Sequence, residues 1–266
     1  MTPSQERPLA VVTGASDGIG YELAKIFAEN GFDLVVCAED GGIVEAAQAF
    51  ASSGCRVESV QADLATFDGN EQLCERIRSL GRPVDALALN AGVGVGGPFI
   101  ETDLAADLEL IGLNIGSTVH LAKRLLPEMV RRGSGRVLIT SSIASTMPAP
   151  FEATYGGSKA FVQSFAQALR EELKDTGVSV TALMPGPTET NFFHRAGLDD
   201  TRVGAAEKDD AAEVARQGFE ALMAGKDHVV AGSLKNNLEA MGAKVLPETA
   251  KARLHRGLTE PGSAKK

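Results

Sequence analysis

The chain is short of cysteine, of clustered basic residues and of long apolar runs, and each shortage excludes something. Three cysteines, Cys37, Cys55 and Cys74, make an odd set with no CxxC pair. That pattern argues against a disulfide framework and a zinc site, so the thiols read as reduced and half-buried and no metal is expected. Lys and Arg number 26 against 35 Asp and Glu, a formal net charge of −9, and the basic spots are small, Arg131-Arg132 and Lys265-Lys266. Phosphate binding needs clustered cations, so no nucleic-acid partner is expected. The longest uncharged stretches, 86–100 and 137–151, are rich in Gly, Ser, Thr and Pro, and both fall short of the ~18–20 residues of a membrane span. The opening MTPSQERPLAVVTGASDG has neither the basic start nor the apolar core of a signal peptide. A soluble, cytoplasmic chain with no membrane partner is the expectation.

Glycine, by contrast, is abundant, 29 of 266 residues against a usual ~7%. With only 11 prolines beside it the chain is not of low complexity, so the surplus marks tight turns and close backbone approaches. Apolar runs at 9–13, 34–38, 56–61, 85–90, 137–141, 178–184 and 228–231 read as seven strands. Between them lie helical patterns at 18–30, through the Ala-rich stretch to Gly54, at 66–80, 103–132, 155–174 and, as the last helix, 211–224. Most strands are continuously apolar rather than alternating, the mark of a sheet covered on both faces. Repeated strand–helix units imply parallel pairing. The expected fold is α/β, a Rossmann-like doubly wound parallel sheet of about seven strands with helices on both faces, over residues 1–258 as one domain. Residues 259–266 are small and polar and read as a frayed tail.

Such sheets bind ligands beyond the carboxyl ends of their strands, at the switch in strand order. The first strand–helix turn is Thr13-Gly14-Ala15-Ser16-Asp17-Gly18-Ile19-Gly20. Its glycines allow backbone N–H groups to approach a pyrophosphate at the helix N-terminus, although the spacing is GxxxGxG rather than GxGxxG. There are two tyrosines, each with a lysine four residues on, Tyr21/Lys25 and Tyr155/Lys159. Thirteen residues before Tyr155 stands Ser142 at a strand end, whereas the same offset from Tyr21 gives Pro8, which has no hydroxyl.

These pieces together resemble the short-chain dehydrogenase/reductase family, across about residues 9–232. The resemblance rests on the TGxxxGxG loop, Asn90-Ala91-Gly92 after the fourth strand, Asn114 in the next helix, the Ser142, Tyr155, Lys159 spacing, and Pro185-Gly186 after the sixth strand. It implies an NAD(P)-dependent oxidoreductase. Free Tyr has a pKa near ~10, and a lysine ammonium one turn away with an oxidised nicotinamide would lower it. Tyr155 then serves as general base or acid, and Ser142 holds the substrate oxygen. By resemblance Lys159 binds the nicotinamide ribose, Asn114 holds a water joining Lys159 to solvent, and Asp63-Leu64 contacts adenine.

Cofactor choice is read at the end of the second strand. There Glu39 stands where family members preferring NADP commonly carry Arg, and Asp17 precedes the second loop glycine. Carboxylates accept from ribose hydroxyls and repel a 2′-phosphate, so NAD is favoured over NADP. NAD-preferring members usually carry their acid one position earlier, where this chain has Ala38. Thr188 and Thr190 could bond the carboxamide or phosphates, or simply shape a turn. Ser141 reads as a backbone partner, and His194, with no carboxylate at useful spacing, as a surface residue.

Segments 93–99, 145–151 and the long connection 189–207 carry Val93, Val95, Met147, Phe151, Phe192 and Phe193. They would wall an apolar or mixed pocket under a mobile lid, for a small alcohol or ketone. By resemblance, apolar faces on the helices at 103–132 and 155–174 would pair subunits into a homodimer or homotetramer. The alternative is a non-catalytic NAD(P)-sensing regulator on the same fold. It would be expected to lose Ser, Tyr or Lys, and all three are present. An epimerase or dehydratase would resemble longer chains with a TGxxGxxG loop.

Overall fold

The apolar runs become strands β1 (Leu9–Thr13), β2 (Asp33–Ala38), β3 (Val57–Gln61), β4 (Ala86–Leu89), β5 (Gly135–Thr140), β6 (Val178–Pro185) and β7 (His228–Ala231). In the computed structural model, which describes residues 7–233 and 246–265, all seven pair in parallel in the order β3-β2-β1-β4-β5-β6-β7. The order reverses between β1 and β4, which opens a crevice at the carboxyl ends of those strands. The opening residues 1–6 and the terminal Lys266 lie outside the described part.

Side chains alternate across the sheet and divide the core in two. Leu9, Val11, Val35, Cys37, Leu87 and Ile139 face one side. There they pack under α3 (Phe67–Ser79), α5 (Thr118–Arg132) and α6 (Ala153–Glu172), through residues such as Leu73, Leu121 and Val162. Ala10, Val12, Leu34, Val36 and Ala88 face the other. They pack under α1 (Gly18–Glu29), α2 (Gly42–Ala51) and α9 (Ala211–Met223). Phe27 of α1 and Phe219 of α9 meet edge to face at 5.1 Å.

Two departures from the sequence reading matter for the site. The helix expected over 103–132 is interrupted: α4 (Leu104–Ile111) runs into a π-helical turn (Gly112–Ser117) before α5. Gly112 lies so close to Ala65 O that a Cβ would come within 2.7 Å. Ser117 and Thr118 turn their hydroxyls back onto Leu113 O and Asn114 O at 2.5 and 3.0 Å, which competes with regular helix bonding. The connection 189–207 contains two short helices, α7 (Phe192–Arg195) and α8 (Arg202–Ala205).

The second departure is at the C-terminus. A further helix, α10 (Glu248–Thr259), follows β7. Its buried residues are Lys251, His255 and Thr259, spaced as one helix face but polar, so no apolar stripe announces it. Residues 259–264 are docked rather than frayed. Thr259 Oγ1 donates to Pro150 O at 2.7 Å, Ser263 Oγ accepts from Arg202 N at 3.0 Å, and Ala264 N donates to Asp200 O at 3.0 Å. Among the described residues no helix is long and apolar enough to cross a membrane.

Candidate active site

A cleft of about 300 Å³ lies over the crevice between β1 and β4. Its outer end is the glycine loop. Gly14 has φ +68°, and a Cβ there would sit 2.9 Å from Ala91 Cα; a Cβ on Gly20 would sit 1.9 Å from Gly14 O. The loop therefore lies against the end of β4 in a way no larger residue permits. Thr13 Oγ1 accepts from Asn90 N and Ala91 N at 2.9 and 3.0 Å. Asn90 in turn donates to Thr13 O at 3.2 Å and accepts from Thr140 Oγ1 at 3.0 Å, which ties three strand ends together. Asp17 caps α1 through Gly18 N at 2.7 Å. The N–H groups of Ile19 and Gly20 have no intrahelical acceptor, and both residues line the cleft. This cradle fits a pyrophosphate.

At the inner end, Ser142 follows β5 and caps a 3₁₀ turn (Ile143–Thr146), its Oγ accepting from Ala144 N at 3.1 Å. Tyr155 and Lys159 lie one turn apart on α6, both buried. Lys159 Nζ donates to Thr140 O at 3.0 Å and lies 5.8 Å from the Tyr155 ring centre. Burial pushes the Tyr155 phenol above its ordinary value; the bond with Ser142 works the other way and the nearby Glu152 carboxylate adds to the rise. Burial alone pulls Lys159 down to about 8. A phenol lowered by the lysine is thus not what the protein alone produces. Burial outweighs the Ser142 bond and favours the neutral phenol.

Of the residues assigned to the cofactor, Gly14, Ser16, Asp17, Gly18, Ile19, Gly20, Glu39, Leu64, Asn90, Ala91, Gly92, Pro185, Gly186, Thr188 and Thr190 all line the cleft. Asp63 does not; its carboxylate accepts from Ala65 N at 2.8 Å and shapes the turn into α3. Asn114 is also off the wall, in the π-helical turn. Its amide exchanges bonds with Val93 N and O at 2.9 and 3.0 Å and donates to Ser158 Oγ at 3.0 Å. Asn114 Oδ1 and Lys159 Nζ both approach Gly92, 3.1 and 3.2 Å from where a Cβ would stand.

Thr188 Oγ1 bonds Gly186 O at 2.9 Å and Thr190 Oγ1 accepts from Phe192 N at 3.2 Å, so both also shape a turn. Ser141 Oγ donates to Lys159 O at 3.1 Å. His194 is exposed, yet it does have a carboxylate, Asp199, 2.8 Å from Nδ1. Tyr21 packs on Phe50 at 4.9 Å, away from the cleft. Val93, Met147, Phe192 and Phe193 line the cleft as expected, whereas Val95 and Phe151 do not. Val95 packs beside Leu110 and Ala144, and the Phe151 ring lies under Arg256 at 5.4 Å.

Sequence reasoning missed four participants. Arg195 of α7 reaches across the cleft mouth to Glu39, Nη2 to Oε1 at 3.3 Å, while Asn191 donates to Asp17 Oδ2 at 2.7 Å. Glu152 and His255 bring a buried polar pair to the inner end. Nothing in the spacing joins 39 to 195 or 152 to 255; only a 3.6-residue period of polar side chains in 248–259 could have hinted at His255.

The family model described as short chain dehydrogenase matches residues 8–200. Mouse dehydrogenase/reductase SDR family member 7B is 33% identical over 226 residues, covering 80% of this chain and 70% of that protein. A Sphingobium yanoikuyae short-chain dehydrogenase solved with NADPH superposes with a TM-score of 0.79 at 31% identity, over 84% of this chain and 87% of that one. The Brucella melitensis 3-ketoacyl-(acyl-carrier-protein) reductase solved with NADH shares the fold, with a TM-score of 0.76 at 23% identity over 88% of this chain and all (100%) of that one. Fold, glycine cradle and sequence likeness agree, and the chain belongs to the short-chain dehydrogenase/reductase family of NAD(P)-dependent oxidoreductases.

Proposed function

We propose that the protein interconverts a secondary alcohol and a ketone, with NAD as the favoured hydride carrier. The observation that carries this reading is the meeting of Ser142, Tyr155 and Lys159 in the same cleft as the glycine loop. A nicotinamide dinucleotide, when bound, supplies or accepts the hydride. The remaining work falls to the chain's own side chains. Tyr155, neutral and buried, gives its proton to the ketone oxygen in reduction; as phenolate it takes the alcohol proton in oxidation. Ser142 hydrogen-bonds the substrate oxygen as charge builds on it. Lys159 holds the nicotinamide ribose, and a water at Asn114 joins Lys159 to solvent.

Glu39 and Asp17 put negative charge at the ribose end, which favours NAD. A second reading has its own observation: Arg195 beside Glu39 is a cation that a 2′-phosphate could use. On the outer surface, Leu104, Leu108 and Ile111 of α4 and Phe161 of α6 are exposed. They support pairing into a homodimer or homotetramer.

The test is Tyr155→Phe assayed on secondary alcohols and ketones. Turnover should fall by about 10²–10⁴-fold while stabilisation by the dinucleotide persists. Unchanged turnover removes Tyr155 from the mechanism.

A further inference from the structure

The inner end of the cleft holds a polar pair for which proton transfer has no use. Glu152, at the N-cap of α6, and His255, from α10, are both buried, with His255 Nε2 3.3 Å from Glu152 Oε2. Both line the cleft beside Met147, Phe192 and Leu258. Burying a carboxylate among apolar walls is unfavourable even when it is paired. Here its charge also opposes formation of the Tyr155 phenolate, so it works against proton donation to a ketone oxygen.

The backbone is nevertheless built to hold it there. Phe151, immediately before Glu152, has φ +63° and is the one non-glycine with positive φ among the described residues. A bulky side chain in that region is strained, and such strain persists only when its surroundings enforce it. Three contacts do so. Gly97 N donates to Phe151 O at 2.8 Å, the Arg256 guanidinium covers the Phe151 ring at 5.4 Å, and Thr259 Oγ1 donates to Pro150 O at 2.7 Å. Two of the three come from α10, which also carries His255.

We infer that Glu152 and His255 form a substrate-recognition pair that binds a hydrogen-bond donor on the substrate, a hydroxyl or an ammonium, at a position separate from the reacting carbon. An ionised carboxylate only accepts, and an imidazole bonded through one nitrogen keeps the other for a second partner. The pair therefore selects functionalised ketones over hydrocarbon ones and disfavours substrates bearing a carboxylate there. This rests on the alcohol/ketone reading above.

The experiment compares kcat/KM for acetophenone with kcat/KM for its 3- and 4-hydroxymethyl, 3- and 4-aminomethyl and 3- and 4-carboxy derivatives. Wild type should favour at least one donor-bearing ketone over acetophenone by about 10–100-fold, the range of a hydrogen bond to a charged group. The hydroxymethyl and aminomethyl arms tell the two donors apart. In Glu152→Gln that preference should collapse towards one. The ratio is the readout because a merely structural loss, or a changed Tyr155 proton affinity, shifts both substrates alike. If Glu152→Gln does not fold, His255→Gln tests the same ratio. A wild-type ratio near one, or a preference that survives both substitutions, overturns the inference while the alcohol/ketone reading stands. No turnover of any ketone or matching alcohol with NADH, NADPH or their oxidised forms overturns both.

Discussion

Arg195 and Glu39 are 156 residues apart in sequence, and their side chains meet at 3.3 Å across the mouth of the cleft. The pair joins the connection after β6 to the end of β2, where the ribose of a dinucleotide is read. Both side chains are about half exposed, at 55% and 44%, so the pair contributes only about 0–1 kcal/mol to stability. Its effect belongs to binding. Arg195→Ala should leave the melting temperature almost unchanged and free Glu39 for the ribose. In titrations followed by thermal unfolding, NADH stabilisation should hold or grow and any NADPH stabilisation should shrink. Glu39→Ala should act the opposite way. Loss of NADH binding in Arg195→Ala would show that Glu39 needs its partner.

Burial holds Tyr155 above its ordinary pKa. The chain has two tyrosines and no tryptophan, so the near-ultraviolet tyrosinate band can be followed without interference. Wild type and Tyr155→Phe should give superimposable titrations up to about pH 10, the ordinary tyrosine value, and separate only above it. An ionisation below pH 10 that the Phe variant lacks would contradict the burial argument.

Asp33 opens β2, with Arg82 Nη1 2.6 Å away and Arg56 N donating at 2.9 Å. Burial works to raise its pKa, but the bonds from Arg82 and Arg56 and their charges prevail and hold it below the ordinary carboxylate value. A depressed folded-state pKa gives stability that is present above the unfolded value and lost as pH falls through the folded one. Asp33→Asn should therefore cost about 2 kcal/mol at pH 7. The gap to wild type in urea unfolding should narrow between about pH 4 and pH 2, below the unfolded-state value. An equal gap at both ends would refute the linkage.

Leu108 is 58% exposed on α4 and Phe161 43% exposed on α6. A Leu108→Glu, Phe161→Glu double variant should sediment as a monomer if these helices pair subunits, with little change in the fold by circular dichroism. A wild type that already sediments as a monomer would end the proposal of an assembly through this face.

The sheet was legible because its strands are buried on both sides and read as plain apolar runs, from 9–13 to 228–231. The glycine cradle was legible because its residues are contiguous, and Ser142, Tyr155 and Lys159 because one strand end and one helix turn fix their spacing. What stayed hidden depends on distant segments meeting. The π-helical turn at Asn114 is accompanied by the close approach of Gly112 to Ala65 O, a contact no local pattern reveals. The helix at Glu248–Thr259 buries a lysine, a histidine and a threonine, and hydrophobic periodicity does not detect polar residues that find partners. Asp63 lies off the cleft wall with its carboxylate in a turn, and a carboxylate after a strand serves a turn as readily as a ligand.

The family match ends at residue 200, while His255, Leu258 and Thr259 reach the cleft from beyond it. The glycine loop, Ser142, Tyr155 and Lys159 all lie within the matched stretch, and a smaller part of the cleft wall comes from outside it. Replacing this helix alone would change part of the cleft wall and leave the glycine loop and the Tyr155 turn with their own sequence. Chimeras that swap only this helix are the natural starting point for redirecting the enzyme.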